Sequence, residues 1–174
     1  MIKVYKTHED FLQKYEAFFK RDEVKYELIW GISKRKSIVT LMIASEIGDQ
    51  FVVGVLAGLN LILASNTLEK DVYRDLVKYM NDVEYPGISG SKEHCDVYNA
   101  VYNEVNGMHL KTQMNQRIYQ CTAVNNISSG KGQVKVAEEA DLDILIDWNI
   151  RFIEELGGGT PSKIETRKKS KRKY

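Results

Sequence analysis

Apolar positions near the start of the chain recur with a helical period. Phe11, Leu12, Tyr15, Phe18 and Phe19 fall at i, i+1, i+4, i+7 and i+8, which is one face of a helix. Thr7 precedes them as an N-cap, and Glu9 and Asp10 place carboxylates in the first turn. Asp22 caps a second helix that runs through Leu28, Ile29 and Trp30 and ends at Gly31 and the basic stretch 33–36. Residues 1–5 read as a short strand ahead of both helices.

The pattern then changes. Residues 37–45 and 51–57 are continuous runs of β-branched and apolar residues, with Ile47, Gly48 and Asp49 as a hairpin turn between them. Gly58 breaks the run, and residues 60–64 form a third strand. These strands do not alternate cleanly, so the sheet is expected to be buried on both faces. A helix over 67–81 follows, with Leu68, Val72, Leu76 and Met80 spaced by four. Residues 85–90 form a loop in which Pro86 fixes φ, while Gly87 and Gly90 let the backbone pass close to the sheet. Ser91 opens another helix, with Tyr98, Val101, Tyr102 and Val105 inward and Gly107 as its C-cap.

Residues 117–124 and 134–137 read as strands, separated by a turn-rich segment. Residues 140–156 form an amphipathic helix that presents Leu142, Leu145, Ile146, Phe152, Ile153 and Leu156, and Gly157, Gly158 and Gly159 stop it. The fold class is α+β: a mixed, mostly antiparallel sheet flanked by helices.

The turn at 64–68 joins a buried strand to a helix, a place where many α/β folds hold phosphate on free backbone N–H groups. A phosphate cradle needs glycines, and Ala64, Ser65, Asn66, Thr67 and Leu68 supply none. Asn66 instead reads as a helix N-cap with Glu69 as its reciprocal partner, and Glu69 and Asp71 would repel a pyrophosphate.

This order of two helices, a three-strand meander and a helix directly after the third strand resembles the GNAT acetyltransferase fold. In that family the turn after the third meander strand carries Gln/Arg-x-x-Gly-x-Gly/Ala, which holds the acetyl-CoA pyrophosphate. The motif is missing from 64–68. Gly130-Lys131-Gly132 provides a Gly-x-Gly, but it follows a different strand, and Ile127 stands where Gln or Arg belongs. A closer resemblance is to the N-terminal half of bacterial two-domain GNAT-like proteins. It is carried by LAGLNLILA (56–64), YPGISGSKEHCDVYNAVY (85–102), RIYQCTAV (117–124) and GQVKVAEEADLDILIDWNIRFIEEL (132–156). In that group a degenerate first domain precedes a second that keeps the cofactor loop. The second domain opens on Gly-x-x-Arg-x-Ala-x-x-x-Asp, here Gly132, Ala137 and Asp141 with Lys135 in place of Arg.

The resemblance implies a degenerate GNAT-like domain over 1–125, a linker over 126–132, the first strand and helix of an incomplete second domain over 133–156, and a basic, disordered tail over 157–174. It implies a chain truncated before the cofactor loop: acetyl-CoA is expected for the complete protein and no cofactor for this chain. The expected function is a non-catalytic supporting domain of an acetyl-CoA-dependent N-acetyltransferase, with no catalytic, cofactor-binding or metal residue assigned. One alternative is an acyl-CoA or small-amine binding module in which Asn60 and Tyr119 line a groove between strands. The other is an interaction domain that self-associates through 140–156, forming a homodimer on Trp148, Phe152 and Ile153.

Charge and composition narrow the rest. Residues 161–174 carry seven Lys/Arg and one Glu; removing that +6 from the chain's +1 leaves −5 on residues 1–160. With an acidic body, the tail reads as solvated, and nucleic acid is not the expected partner. No apolar run reaches the roughly 18 residues of a membrane span, and the N-terminus has no signal-peptide core, so a cytoplasmic location is expected. Cys95 and Cys121 form neither a disulfide framework nor a zinc cluster, and Cys121 reads as a small core residue. His94 and Cys95 are adjacent on a helix and point about 100° apart, so they do not share a metal site. His8 and His109 lack partners at ligand spacing, and Glu23, Glu27 and Glu46 read as solvated charge rather than general bases.

Overall fold

The first helix, α1 (His8–Phe19), starts where the sequence places it: the Thr7 side chain accepts from the Asp10 N–H at 3.1 Å. A short 3-10 turn (Lys20–Asp22) leads into α2 (Glu23–Ser33), whose first turn is capped by Asp22 through the Lys25 N–H at 3.0 Å. Gly31 does not end α2; the helix runs on to Ser33, whose hydroxyl is satisfied by the Ile29 carbonyl. The computed structural model describes residues 1–36, 38–58, 60–124, 132–156 and 162.

The sheet is built from β1 (Ile2–Val4), β2 (Leu41–Ile47), β3 (Gln50–Leu56), β4 (Leu61–Ser65) and β5 (Ile88–Ser89), in the spatial order β1-β2-β3-β4-β5. The β1–β2, β2–β3 and β3–β4 pairs are antiparallel, and β4–β5 is parallel, with Leu61 opposite Ile88 and Ile62 opposite Ser89. The β2–β3 turn pairs Ile47 with Gln50 across Gly48 and Asp49, and Gly48 takes φ +62°, the left-handed conformation such a turn demands. The first long strand begins at Leu41 rather than at 37; Ser37 lies outside the described residues.

Residues alternate between two cores. Met42, Ala44, Val53, Val55, Ile62 and Ala64 pack with Phe11, Tyr15, Phe19, Tyr26 and Ile29 of α1 and α2. Ile43, Val52, Leu56, Leu61 and Leu63 pack with α3 (Lys70–Met80) and α4 (Lys92–Asn106) through Val72, Tyr73, Leu76, Met80, Tyr98 and Val101. Both sheet faces are therefore dry, which is why the strands read as unbroken apolar runs rather than as an alternating pattern. The fold is α+β, a five-stranded, mostly antiparallel sheet flanked by helices.

The loop before α4 crosses close to the sheet. A Cβ at Gly90 would lie 2.9 Å from the Leu63 carbonyl oxygen, so only glycine fits without displacing backbone. Gly107, at φ +69°, closes α4 in the left-handed cap position.

The helix after β4 begins at Lys70, not at 67, and Leu68 lies ahead of it with its side chain half exposed. Residues 117–124, expected as a strand, are irregular and exposed, Tyr119 to 83%. Cys121 is exposed as well, not a core residue. Among the described residues no strand pairs with this stretch, and isolated strands are not stable in water.

Contacts divide the chain into two units, Met1–Ala123 and Val124–Tyr174. In the second, residues 134–137 are irregular rather than a strand, for the same lack of a pairing partner. A 3-10 turn (Glu139–Asp141) with a reciprocal Glu138/Asp141 capping box opens α5 (Leu142–Glu155). The Lys135 ammonium meets the Asp141 carboxylate at 2.9 Å, joining the two motif positions. Ile146 and Ile150 are the buried residues of α5; Trp148 and Phe152 are exposed and Ile153 is half-buried. The linker at 126–132 and the tail at 157–174 lie outside the described residues, apart from Gly132 and Ser162. No helix among the described residues is long and apolar enough to cross a membrane.

Candidate functional site

At the end of β4, Ser65, Asn66, Thr67 and Leu68 form one wall of an open cleft of about 530 Å³. Phe18, Lys25 and Tyr26 of the α1–α2 side and Glu93 and His94 of the first turn of α4 line the rest. It lies at the turn where a phosphate cradle would be sought, and the turn closes on itself. The Asn66 N–H donates to the Phe51 carbonyl at 3.3 Å, the Thr67 N–H to Ser65 Oγ at 3.1 Å and the Glu69 N–H to Thr67 Oγ1 at 3.2 Å. The first goes to the β3 backbone, and the other two are consumed locally by hydroxyl-bearing side chains that glycines would have left out.

Asn66 does not cap α3. Its Oδ1 accepts from the Phe51 N–H at 2.8 Å and its Nδ2 donates to the Asp49 carbonyl at 2.9 Å, so it ties the end of β4 to the β2–β3 turn. The N-cap position falls on Glu69, whose side chain makes no capping bond. The amide that looked free for the helix is occupied by a hairpin 15 residues back.

His94 is the most constrained group at the cleft. It is 4% exposed, and its Nδ1 lies 2.9 Å from the hydroxyl of Tyr73, a residue buried completely on α3. Burial lowers the imidazole pKa below its ordinary value, Lys25 lowers it further, and Glu93 opposes them, so the ring is neutral at pH 7. Burial also raises the Tyr73 phenol to about 12. His94 Nε2 is buried without a hydrogen-bond partner.

Counting protons assigns the tautomer. Ser65 Oγ has one proton and two acceptors within reach, the Phe51 carbonyl at 2.6 Å and the Thr67 carbonyl at 2.9 Å. Tyr73 has one proton and a choice between the Thr67 carbonyl at 3.2 Å and His94 Nδ1. The burial of Nε2 decides between them: with the Tyr73 proton on the Thr67 carbonyl, which has a lone pair to spare, His94 Nδ1–H donates to the Tyr73 oxygen, and Nε2 is left as a bare lone pair. The opposite assignment would bury an unpaired N–H, and orphaned donors are the rarer and costlier kind.

The cleft is electrically balanced. Lys25 Nζ sits 2.7 Å from Glu93, whose pKa that bond lowers, so both stay charged. Tyr26 donates to the Ser65 carbonyl at 3.3 Å and fixes the wall between them. The geometry offers one neutral acceptor on a rigid relay, beside one ion pair and the half-buried ring of Phe18.

The other sequence candidates do not converge here. Asn60 Nδ2 donates to Ser89 Oγ at 2.8 Å across β4 and β5, and Tyr119 does not join it in a groove. Glu46 is not freely solvated: its carboxylate is held by Lys14 and by the Tyr15 hydroxyl, which also meets Tyr5. Burial raises the Glu46 pKa, but these two partners outweigh it and the net shift is downward, away from a general base. Cys95 is half-buried, with its thiol pushed up to about 11 by burial. No group of three His, Cys, Asp or Glu among the described residues has metal-site geometry. Sequence reasoning judged His94 by its neighbours on its own helix and missed Tyr73, 21 residues back, and Lys25, 69 residues back. The signal available was that positions 73 and 94 both fall among buried helical residues. Comparison of the chain with protein-family models, curated proteins and solved structures gives no significant match.

Proposed function

We propose that residues 1–125 are a GNAT-like domain that has lost the acetyl-CoA loop and supports an N-acetyltransferase without catalysing transfer itself. The observation that carries this reading is the turn after the third meander strand. It follows the third meander strand in the order helix, helix, three strands, helix, yet its N–H groups at 66, 67 and 69 are already bonded, the first to the Phe51 carbonyl and the other two to hydroxyls of the turn. A pyrophosphate placed there would forgo charge-assisted hydrogen bonds of roughly 1.5–3 kcal/mol each. It would also face Glu69 at the helix start. In an assay of thiol release from acetyl-CoA with primary amines as acceptors, the rate should stay at the uncatalysed level. Turnover that scales with protein concentration would overturn the reading.

A second reading, a small-molecule binding module, is favoured by one observation: the unpartnered Nε2 of His94 at a cleft of ligand size. Small uncharged molecules rather than acyl-CoA suit it, because the ion pair of Lys25 and Glu93 leaves no net positive charge for phosphates.

A further inference from the structure

Among the described residues, three buried side-chain polar atoms lack a partner: Ser45 Oγ, Ser91 Oγ and His94 Nε2. Two of them belong to the start of α4, three residues apart, where Ser91 occupies the N-cap position without capping. Buried polar atoms without partners are rare, and of these two residues His94 lines the cleft. The relay behind His94 is complete: Ser65, Thr67, Tyr73 and Nδ1 satisfy one another, so nothing on the protein side competes for Nε2.

We infer that the cleft takes an uncharged molecule that presents an N–H or O–H donor to Nε2 of His94. The donor requirement follows from the proton count: Nε2 holds a lone pair, so it accepts and does not give. The absence of charge follows from the lining. Lys25 and Glu93 neutralise one another at 2.7 Å, so neither an anion nor a cation finds an unpaired partner in the lining. An apolar part of the ligand would lie on Phe18, Tyr26 and Leu68, which share the lining with Ser65, Asn66 and Thr67. A primary amide or alcohol on a ring fits this description, and a volume of about 530 Å³ leaves room for a larger molecule of the same kind. Nε2 is covered in the free protein, so binding requires part of the lining to move. The inference rests on the second reading above, in which the cleft binds a small molecule.

The test is NMR on the full chain with 15N-labelled histidine, using benzyl alcohol and benzamide as donors. Toluene is the control without a donor, and benzylamine and benzoate are the charged controls. In the free protein, the His94 spectrum should be that of the Nδ1–H tautomer. Benzyl alcohol and benzamide should move Nε2 upfield and saturate, and the three controls should not. His94→Phe should weaken binding of the two donors roughly two- to tenfold, read from the Thr67 and Glu93 backbone amides, as loss of one hydrogen bond requires. A protonated Nε2 in the free protein overturns the inference without any variant. If a probe moves the Thr67 and Glu93 amides but leaves Nε2 unmoved, or the charged probes bind as well as the neutral ones, the cleft binds ligands but the proposed class is wrong. If no probe moves either amide or imidazole, the binding-module reading fails together with the inference.

Discussion

Replacing Asn66 separates two jobs that one side chain can do. As a tie, it makes two hydrogen bonds to the β2–β3 hairpin, one accepted from Phe51 N–H and one donated to the Asp49 carbonyl. Both groups lie at the surface, so water replaces the lost partner in part and the net cost sits at the low end of about 0.5–1.5 kcal/mol per bond. Asn66→Ala should thus cost about 1–2 kcal/mol. A helix cap would cost about 1 kcal/mol on the same substitution, so alanine alone cannot distinguish the two. Asn66→Asp can. Aspartate is as good an N-cap as asparagine, but it has no N–H to give the Asp49 carbonyl and sets a carboxylate beside that oxygen. The tie therefore predicts that Asn66→Asp loses about 1 kcal/mol, whereas a cap predicts no loss. Urea unfolding followed by far-UV circular dichroism gives both values, and a thermal melt should drop by about 2–4 °C per kcal/mol. If Asn66→Asp is as stable as the parent while Asn66→Ala is not, the hairpin tie is refuted.

Three further outcomes follow from the same geometry. Gly90→Ala forces its methyl to within 2.9 Å of the Leu63 carbonyl oxygen and should destabilise by about 1–3 kcal/mol in urea; a neutral result would mean that the loop before α4 does not hold its place against β4. His94 has a native pKa below the ordinary imidazole value of about 6.5, chiefly because it is buried, so below that pH the unfolded chain takes up a proton that the native one refuses. Stability should be fully present above pH 6.5 and fall as pH drops below it, and His94→Gln should flatten that slope; an unchanged slope removes His94 from the account. Self-association through Trp148, Phe152 and Ile153 is proposed from the exposure of the first two, 60% and 58%, one turn apart on α5. Sedimentation velocity should find a dimer that Phe152→Glu converts to a monomer, and a parent chain that is monomeric at high concentration ends the proposal.

Local chemistry was legible along the chain. Thr7, Asp22 and Gly107 cap helices because each needs only residues within four positions of itself. The two-faced burial of the sheet was legible in the unbroken apolar runs of β2, β3 and β4, and the close passage of Gly90 in its loop of proline and glycines. What failed was decided at a distance. Asn66 has the look of a cap, but the hairpin ahead of it in the chain reaches the side chain first. Residues 117–124 have strand composition, yet a strand exists only where a neighbour offers its backbone, and composition carries no information about neighbours. At the cleft, the turn without glycines was readable as one that makes no phosphate cradle. The relay from Ser65 through Tyr73 to His94 was not, because its members come from β4, α3 and α4 and no spacing joins them.

The proposed loss of the cofactor loop is tested most directly by isothermal titration of acetyl-CoA into the purified chain. With the N–H groups at 66, 67 and 69 already bonded and Glu69 at the helix start, the account predicts no saturable heat beyond dilution. Tight binding at one acetyl-CoA per chain would contradict it.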